Sequence, residues 1–191
     1  MAGAEHITTA AEVFMLQAEL LLKYNLDVAK RTFWIMGEIN TKTLKHVDAC
    51  LSILETQGRQ KVTIKLCSEG GEVDEALAIV SRMQRSPCKV RVEAHGQCMS
   101  AATAILAIGS KRSVSKYVTF MFHEASYGIE GKHSEIKPWI AQFDKSEATW
   151  AALMAEHSNK DASFWLEQSK HTDKFLTPAQ LLEYGVVDEI F

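Results

Sequence analysis

Hydrophobic and polar positions alternate along much of this chain in the two patterns that predict strands and helices. An alternation of Val, Ile and Leu with polar residues predicts a strand at 62–67, β-type runs predict strands at 32–36 and 89–94, and residues 114–122 have room for one or two more. A last run at 186–190 predicts a terminal strand. Strands therefore recur at intervals along the chain after its first thirty residues.

Apolar residues at helical spacing fill the intervals between these strands. They predict an amphipathic first helix over residues 8–30 and helices over 44–54, 73–83, 101–109 and 161–171. A long helix is predicted over 131–156, with Pro138 in its first two turns, and Thr177-Pro178 begins the last helix with proline at its first position. Thr41 is the candidate N-cap of the second helix. Strands that alternate with helices favour crossover units and an α/β layered fold.

Composition narrows the class of protein. The chain has 191 residues, which suits one domain with a sizeable core, and its net charge of −3 gives no reason to expect a nucleic-acid partner. The four cysteines are scattered without the spacing of a zinc site or a disulfide framework, so we expect no metal and a reducing compartment. No secretory signal or membrane-spanning run is visible, and we expect a cytoplasmic protein that needs no membrane.

Two residues stand out as a candidate nucleophile and base. Ser100 precedes a helix that is apolar almost all round, and His123 ends a strand-type run. A serine hydroxyl is a weak nucleophile until an adjacent imidazole accepts its proton. Ser100 as a simple N-cap and His123 as a histidine with structural hydrogen bonds are the alternative interpretations.

A glycine pair adds to this hypothesis. Gly70 and Gly71 follow a predicted strand and precede a predicted helix, where backbone N–H groups are free to bind a negative charge. Such a turn can stabilise an oxyanion. The segment lacks the pattern of a phosphate-binding loop, and Ser100 lies outside a G-x-S-x-G elbow, which argues against an ordinary α/β-hydrolase.

Four segments together resemble the proteolytic subunit of the Clp protease family. They are SEGGEV at 68–73, GQCMSAA at 96–102, MFHE at 121–124 and LTPAQLLEYGVVD at 176–188. The resemblance extends from about residue 32 to the C-terminus, and it divides the chain into an N-terminal helical segment, 1–30, and a Clp-peptidase-like domain, 31–191.

The resemblance implies a crotonase-like α/β fold of repeated ββα-type units with a protruding long helix. By the same resemblance Ser100 is the nucleophile and His123 the general base, and the N–H groups of Gly71 and Met99 form the oxyanion hole. It implies a serine endopeptidase that cleaves peptides or unfolded proteins, requires no cofactor and assembles as stacked homo-oligomeric rings.

Three departures from the family pattern qualify this expectation. Glu69 replaces a proline before the glycine pair. The acidic member of the triad is expected six residues before Phe175, where this chain has Ser169, which carries no charge. Asp173 is the nearest substitute, and Asp144 and Asp161 are more distant ones. Residues 8–30 replace the usual N-terminal segment, so a AAA+ ATPase partner does not follow from the resemblance.

Two alternatives to an active peptidase stay open on the sequence. The loss of the acidic position favours a catalytically weakened scaffold or regulatory ring subunit. A crotonase-like acyl-CoA enzyme is a more distant alternative, because that chemistry does not need the pair of Ser100 and His123.

Overall fold

A computed structural model describes residues 9–191, and the described part is a mixed α/β structure. Its seven helices are α1 (Ala10–Tyr24), α2 (Thr41–Thr56), α3 (Val73–Gln84), α4 (Ala102–Ala107), α5 (His133–Glu156), α6 (Ala162–Ser169) and α7 (Pro178–Glu183). Its eight strands are β1 (Leu26–Asp27), β2 (Thr32–Met36), β3 (Val62–Ser68), β4 (Val90–Met99), β5 (Arg112–Val114), β6 (Thr119–Phe122), β7 (Lys174–Leu176) and β8 (Glu189–Ile190). The α/β fold expected from the sequence is confirmed.

The strands form one sheet in the order β1-β2-β3-β4-β5-β8, and β6 and β7 extend it from β4. Pairing is parallel throughout the centre and antiparallel only between β1 and β2 and between β6 and β7. Parallel neighbours need long crossover connections, and α2 and α3 provide two of them. The carboxyl ends of β3 and β4 therefore lie side by side, and both lead into candidate site residues.

Strand β4 takes part in two separate pairings. Its first half pairs with β5 and its second half with β6, and Gly96, at a φ of 57°, lies between the halves. This change of partner bends the sheet at the segment that leads into Ser100. Strand β6 then pairs with β7, which brings the segment around Lys174 to the end of β6.

The core lies between the sheet and its covering helices. Alternate residues of β3, namely Val62, Ile64 and Leu66, are fully buried, as period-two patterning predicts. Every residue of α4 is buried, so this helix passes through the core rather than over it. Burial on all sides fixes the start of α4, and with it the residue that precedes the helix.

The first helix is shorter than the sequence analysis predicted. Thr9 caps α1 with a reciprocal capping box that involves Glu12, and the helix ends at Asn25, which adopts a left-handed φ of 51°. Leu26 then pairs with Phe33 and is fully buried, so tertiary pairing overrides helical periodicity after residue 24. The prediction that the helix continues to residue 30 was wrong, and its predicted first residue, Thr8, lies outside the described residues.

Other boundaries also differ from the expectation. Asn40, not Thr41, caps α2, because its side chain accepts the N–H groups of Lys42 and Thr43. The region 114–122 contains the end of β5 and the whole of β6, and the terminal strand is limited to Glu189–Ile190. Ser100 does not belong to a helix but to the turn before α4.

Candidate active site

Ser100 lies at the sharp turn between β4 and α4. Its φ of 51° is left-handed, a conformation that non-glycine residues adopt only when their surroundings enforce it. Its N–H donates to Met121 O at 2.8 Å, and its carbonyl accepts from the N–H and the hydroxyl of Thr103 at 3.0 and 2.6 Å. These bonds hold the strained turn, so the simple N-cap interpretation does not describe this serine.

His123 follows directly after β6, and its side chain reaches Ser100. The distance between His123 Nε2 and Ser100 Oγ is 2.9 Å, a hydrogen bond of good length. When Nε2 accepts the hydroxyl proton, the ring hydrogen of the neutral imidazole is on Nδ1. The ring then directs one nitrogen at the serine and the other at a third residue.

That third residue is Asp173. Its Oδ1 lies 3.3 Å from His123 Nδ1, at the long end of hydrogen-bond distances, and its side chain is 56% exposed. The antiparallel register of β6 and β7 explains this placement. Phe122 pairs with Lys174, so His123, which follows Phe122, lies near Asp173, which precedes Lys174. Hydrogen bonds of this kind in a free enzyme are often long and tighten when substrate binds.

Ser169, at the position that the resemblance assigns to the acid, lines the same pocket as Ser100 and His123 but makes no hydrogen bond to the histidine. It is buried at the end of α6, and its hydroxyl donates to Leu166 O at 3.0 Å. Its carbonyl accepts Glu124 N–H at 2.9 Å, which fastens α6 to the segment after His123. Ser169 therefore lies near His123 without supplying a charge, and the carboxylate that contacts His123 Nδ1 is that of Asp173.

The two more distant acids are used elsewhere. Asp161 caps α6 and accepts Phe164 N–H at 2.7 Å. Asp144 lies on α5 and lines a hollow with Glu147 and Glu124. The structure brings neither carboxylate to His123, since Asp173 is its only ion-pair partner among residues 9–191.

The glycine pair forms a tight turn against Ser100. A methyl group added at Gly70 would lie 2.7 Å from both Met99 O and Ser100 Cβ, so only glycine fits there. Gly70 N–H donates to Ser68 Oγ, and Gly70 O accepts Ile39 N–H at 2.7 Å. Within the described chain, Gly71 N–H finds no acceptor, and this residue is exposed toward the site.

The amide of Met99 does not face this turn as expected. Met99 is the last residue of β4 and pairs with Met121, and the next N–H, that of Ser100, donates to Met121 O. Because successive N–H groups of a strand point to opposite edges, the Met99 N–H points toward β3. The open amide beside the nucleophile is Ala101 N–H, which donates to no group in residues 9–191. Its nitrogen lies 3.1 Å from where a Cβ of Gly70 would be.

A pocket opens beside Ser100 and His123, and we call it the Ser100 pocket. Its wall is mainly apolar and comes from α3, α4, β6 and α6, with Val73, Ala76, Leu77, Ala104, Phe122 and Leu166. Trp150 and Glu147 of α5 also line it, as do Glu124 and Ser169. Burial raises the pKa of Glu147, the negative charges of Glu124 and Asp144 add to this, and the N–H of Ala125 opposes it.

Sequence reasoning missed Ala101, Thr103 and Glu147. The residue after a candidate nucleophile was a visible position for a free amide, but alternating strand N–H directions were not applied to Met99. Trp150 Nε1 donates to Thr103 Oγ1 at 3.0 Å, a contact that helical periodicity does not indicate. No sequence signal marked Glu147, whose role depends on how α5 lies against α3 and α4.

The described residues also bear on metal binding and on membrane insertion. Within residues 9–191, no cluster of three or more His, Cys, Asp or Glu side chains is arranged to bind a metal ion. No helix in the same range combines the length and the apolar character that crossing a membrane requires.

Comparison with known proteins adds independent evidence. The family model described as Clp protease matches residues 18–191. The chain is 28% identical over 171 residues to ATP-dependent Clp protease proteolytic subunit 1 of Rhodococcus jostii, which covers 87% of this chain and 77% of the relative. It is also 28% identical over 170 residues to proteolytic subunit 2 of Corynebacterium diphtheriae, which covers 87% of this chain and 85% of the relative. The chain therefore belongs to the Clp protease family.

Proposed function

We propose that this protein is a serine endopeptidase that hydrolyses peptides or unfolded polypeptides through an acyl-enzyme on Ser100. The observation that carries the proposal is the 2.9 Å contact between His123 Nε2 and Ser100 Oγ at a strained, well-braced turn. A positioned base of this kind is what an unactivated hydroxyl requires. Relatives named as proteolytic subunits support the same activity.

The reaction begins when Ser100 Oγ attacks the carbonyl carbon of the scissile peptide bond. His123 Nε2 takes the hydroxyl proton as the new C–O bond forms, and it then returns that proton to the leaving amine as the C–N bond breaks. A water molecule, deprotonated by the same nitrogen, hydrolyses the ester. Asp173 keeps the Nδ1 hydrogen in place and stabilises the imidazolium through its 3.3 Å contact.

The negative charge on the former carbonyl oxygen needs preorganised donors. We assign this role to the N–H groups of Gly71 and Ala101, which have no acceptor among the described residues and belong to neighbouring turns. Loss of one such donor costs enzymes of this type about 3–4 kcal/mol of transition-state stabilisation. The expected contribution of Met99 is replaced by that of Ala101.

A closed assembly of identical subunits fits the exposed surface of α5 and the loop before it. Trp139 and Ile140 are 56% and 52% exposed, and Tyr127 and Ile129 are exposed nearby. Large apolar side chains clustered in this way mark interaction surfaces. We therefore propose stacked rings of this chain, and because its relatives are ATP-dependent proteases, a AAA+ ATPase is the candidate partner.

An active-site label tests the proposal directly. A fluorophosphonate or β-lactone should add one adduct per subunit at Ser100, and the Ser100→Ala variant should remain unlabelled. Native mass spectrometry of the same sample should show a closed oligomer. Labelling at a different serine, or none in assembled protein, would contradict the peptidase and favour the scaffold or regulatory subunit. Thioester hydrolysis that survives in Ser100→Ala would favour the acyl-CoA alternative.

A further inference from the structure

The Ser100 pocket is apolar except for its acidic end. Hydrophobic residues from four elements form its wall, and none of the residues that line it is Lys or Arg. Glu147 and Glu124 lie both in this pocket and in an adjoining hollow, the acidic hollow, which Asp144 also lines. A side chain that enters beside Ser100 therefore finds apolar walls and carboxylates in the same cavity.

Glu147 is only partly satisfied by the protein. Its Oε1 accepts Ala125 N–H at 3.0 Å, and none of the ion pairs formed within residues 9–191 includes this carboxylate. Its charged neighbours in the hollow are acidic as well. A half-buried carboxylate in such surroundings is unfavourable unless a cation approaches it.

We propose that Glu147 is a specificity-determining residue and that the pocket selects a basic side chain, lysine or arginine, on the residue that precedes the scissile bond. This inference rests on the proposed peptidase function. In the acyl-enzyme that residue is attached to Ser100 Oγ, so its side chain enters the cavity that opens beside the serine. The aliphatic stem packs against the apolar wall while the cationic end reaches the carboxylates.

The arrangement separates binding from selection. Apolar walls with few polar groups supply affinity for many side chains, and a single charge decides among side chains of similar shape. Norleucine has the stem of lysine without the ammonium group, so the pair of substrates isolates the contribution of the charge. Glu147→Gln keeps an oxygen that can accept the Ala125 N–H while it removes the negative charge.

The test uses the assembled full-length protein and two fluorogenic peptides that differ only in lysine or norleucine before the scissile bond. We expect kcat/KM to favour lysine by roughly tenfold, as an ion pair of about 1.4 kcal/mol gives. Glu147→Gln should bring that ratio close to one. Glu130→Gln is the matched control, because Glu130 is exposed and lines neither cavity, and its ratio should stay at the parent value.

The outcomes separate this inference from the proposed function. Hydrolysis that depends on Ser100 but prefers norleucine overturns the inference and leaves the peptidase intact. A preference for lysine that persists in Glu147→Gln overturns the assignment to Glu147. If neither peptide is cleaved and phosphonate analogues of both fail to label Ser100, the peptidase and this inference are both overturned. If Glu147→Gln does not fold, the ratio of kcat/KM for the lysine and norleucine peptides in the parent protein still tests the preference for a basic side chain.

Discussion

Trp150 Nε1 donates a hydrogen bond to Thr103 Oγ1 at 3.0 Å, and this contact connects α5 to the turn of the nucleophile. The same threonine oxygen donates its own proton to Ser100 O at 2.6 Å, and Thr103 is fully buried. In this relay the Thr103 hydroxyl accepts from Trp150 and donates to Ser100 O. A buried side chain therefore fixes the position of the Ser100 carbonyl. The long helix therefore contributes to the geometry of the nucleophile as well as to the pocket.

Trp150→Phe should weaken this relay without removing the aromatic ring. We expect a loss of about 1 kcal/mol in the free energy of unfolding, the usual net value of one such hydrogen bond. The rate of Ser100 labelling by a small fluorophosphonate should also fall. Urea unfolding and labelling kinetics measure the two effects.

Thr103→Val provides the comparison for this variant. It removes the bond to Ser100 O as well as the acceptor for Trp150, so its labelling rate should fall further. The double variant should cost less than the sum of the single ones, because both changes affect one relay. Additive losses, or an unchanged labelling rate in Trp150→Phe, would show that the tryptophan only fills space.

Gly70→Ala should abolish peptidase activity while the sheet still forms. The new methyl group would press on Met99 O and Ser100 Cβ at 2.7 Å, and the φ of 100° is strained for alanine. Displacement of a reacting atom by about 1 Å can cost a hundredfold in rate. Peptide hydrolysis measures the loss, and circular dichroism reports whether the fold persists.

Gly128→Ala is the control for this substitution. A methyl group at Gly128 meets no atom within 4 Å, so activity and stability should stay close to those of the parent. Full activity in Gly70→Ala would mean that the turn yields without moving Ser100. That result would show that the close approach of Gly70 to Met99 O and Ser100 Cβ does not require glycine.

Local patterns predicted the central strands well because their hydrophobic periodicity and their tertiary environment agree. The β-type run at residues 32–36 ends at Gly37 and forms β2 with the predicted bounds. The prediction of the first helix was wrong where the periodicity and the tertiary environment disagree. Asn25 terminates α1, and Leu26 joins the sheet by pairing with Phe33. That pairing is not visible in a helical periodicity.

The candidate site was also predictable from the sequence only in part. Ser100 and His123 were recognisable from their segments, but the left-handed φ of the serine and the open amide of Ala101 belong to the folded turn. Asp173 meets His123 through the antiparallel register of β6 and β7, which joins segments about fifty residues apart. The offset taken from the family pattern leads to Ser169, whose hydroxyl donates to its own helix, and the sequence named Asp173 only as the nearest substitute acid.

Asp173→Asn should lower kcat by orders of magnitude if this carboxylate orients His123. The amide offers no negative charge to the imidazolium and can favour the wrong tautomer, a change that costs about 10⁴ in a serine protease triad. Because Asp173 is 56% exposed and 3.3 Å away, we expect a smaller loss of roughly 10²–10³. Steady-state hydrolysis of one fluorogenic peptide measures it.

Two further variants sharpen this test. Ser169→Asp should not raise activity, because the Ser169 hydroxyl is buried and donates to Leu166 O, and an added charge there destabilises the end of α6. Asp144→Asn removes a carboxylate of α5 that does not contact His123, so kcat should stay near the parent value. A silent Asp173→Asn together with an activating Ser169→Asp would reverse the assignment and favour a degenerate site.

Glu147→Gln should make the protein more stable, and the gain should depend on pH in one direction. Burial, aided by the charges of Glu124 and Asp144, raises the pKa of Glu147 above its ordinary value of 4.5 in the folded state. The folded protein then binds this proton more tightly than the unfolded chain, so stability falls as pH rises from 4.5 through the raised pKa. Above that window the penalty is complete and constant.

The glutamine variant lacks this penalty at every pH. Its advantage over the parent should therefore be small below pH 4.5, grow as pH rises toward the raised pKa of Glu147 and stay constant above it. Urea unfolding at matched protein concentration measures the difference, with Glu130→Gln as the exposed control that should show no such trend. An advantage that does not change with pH, or a variant less stable than the parent at neutral pH, would contradict the argument. The expected result would mean that this carboxylate is kept at a cost to stability, which is the pattern of a residue that serves binding rather than folding.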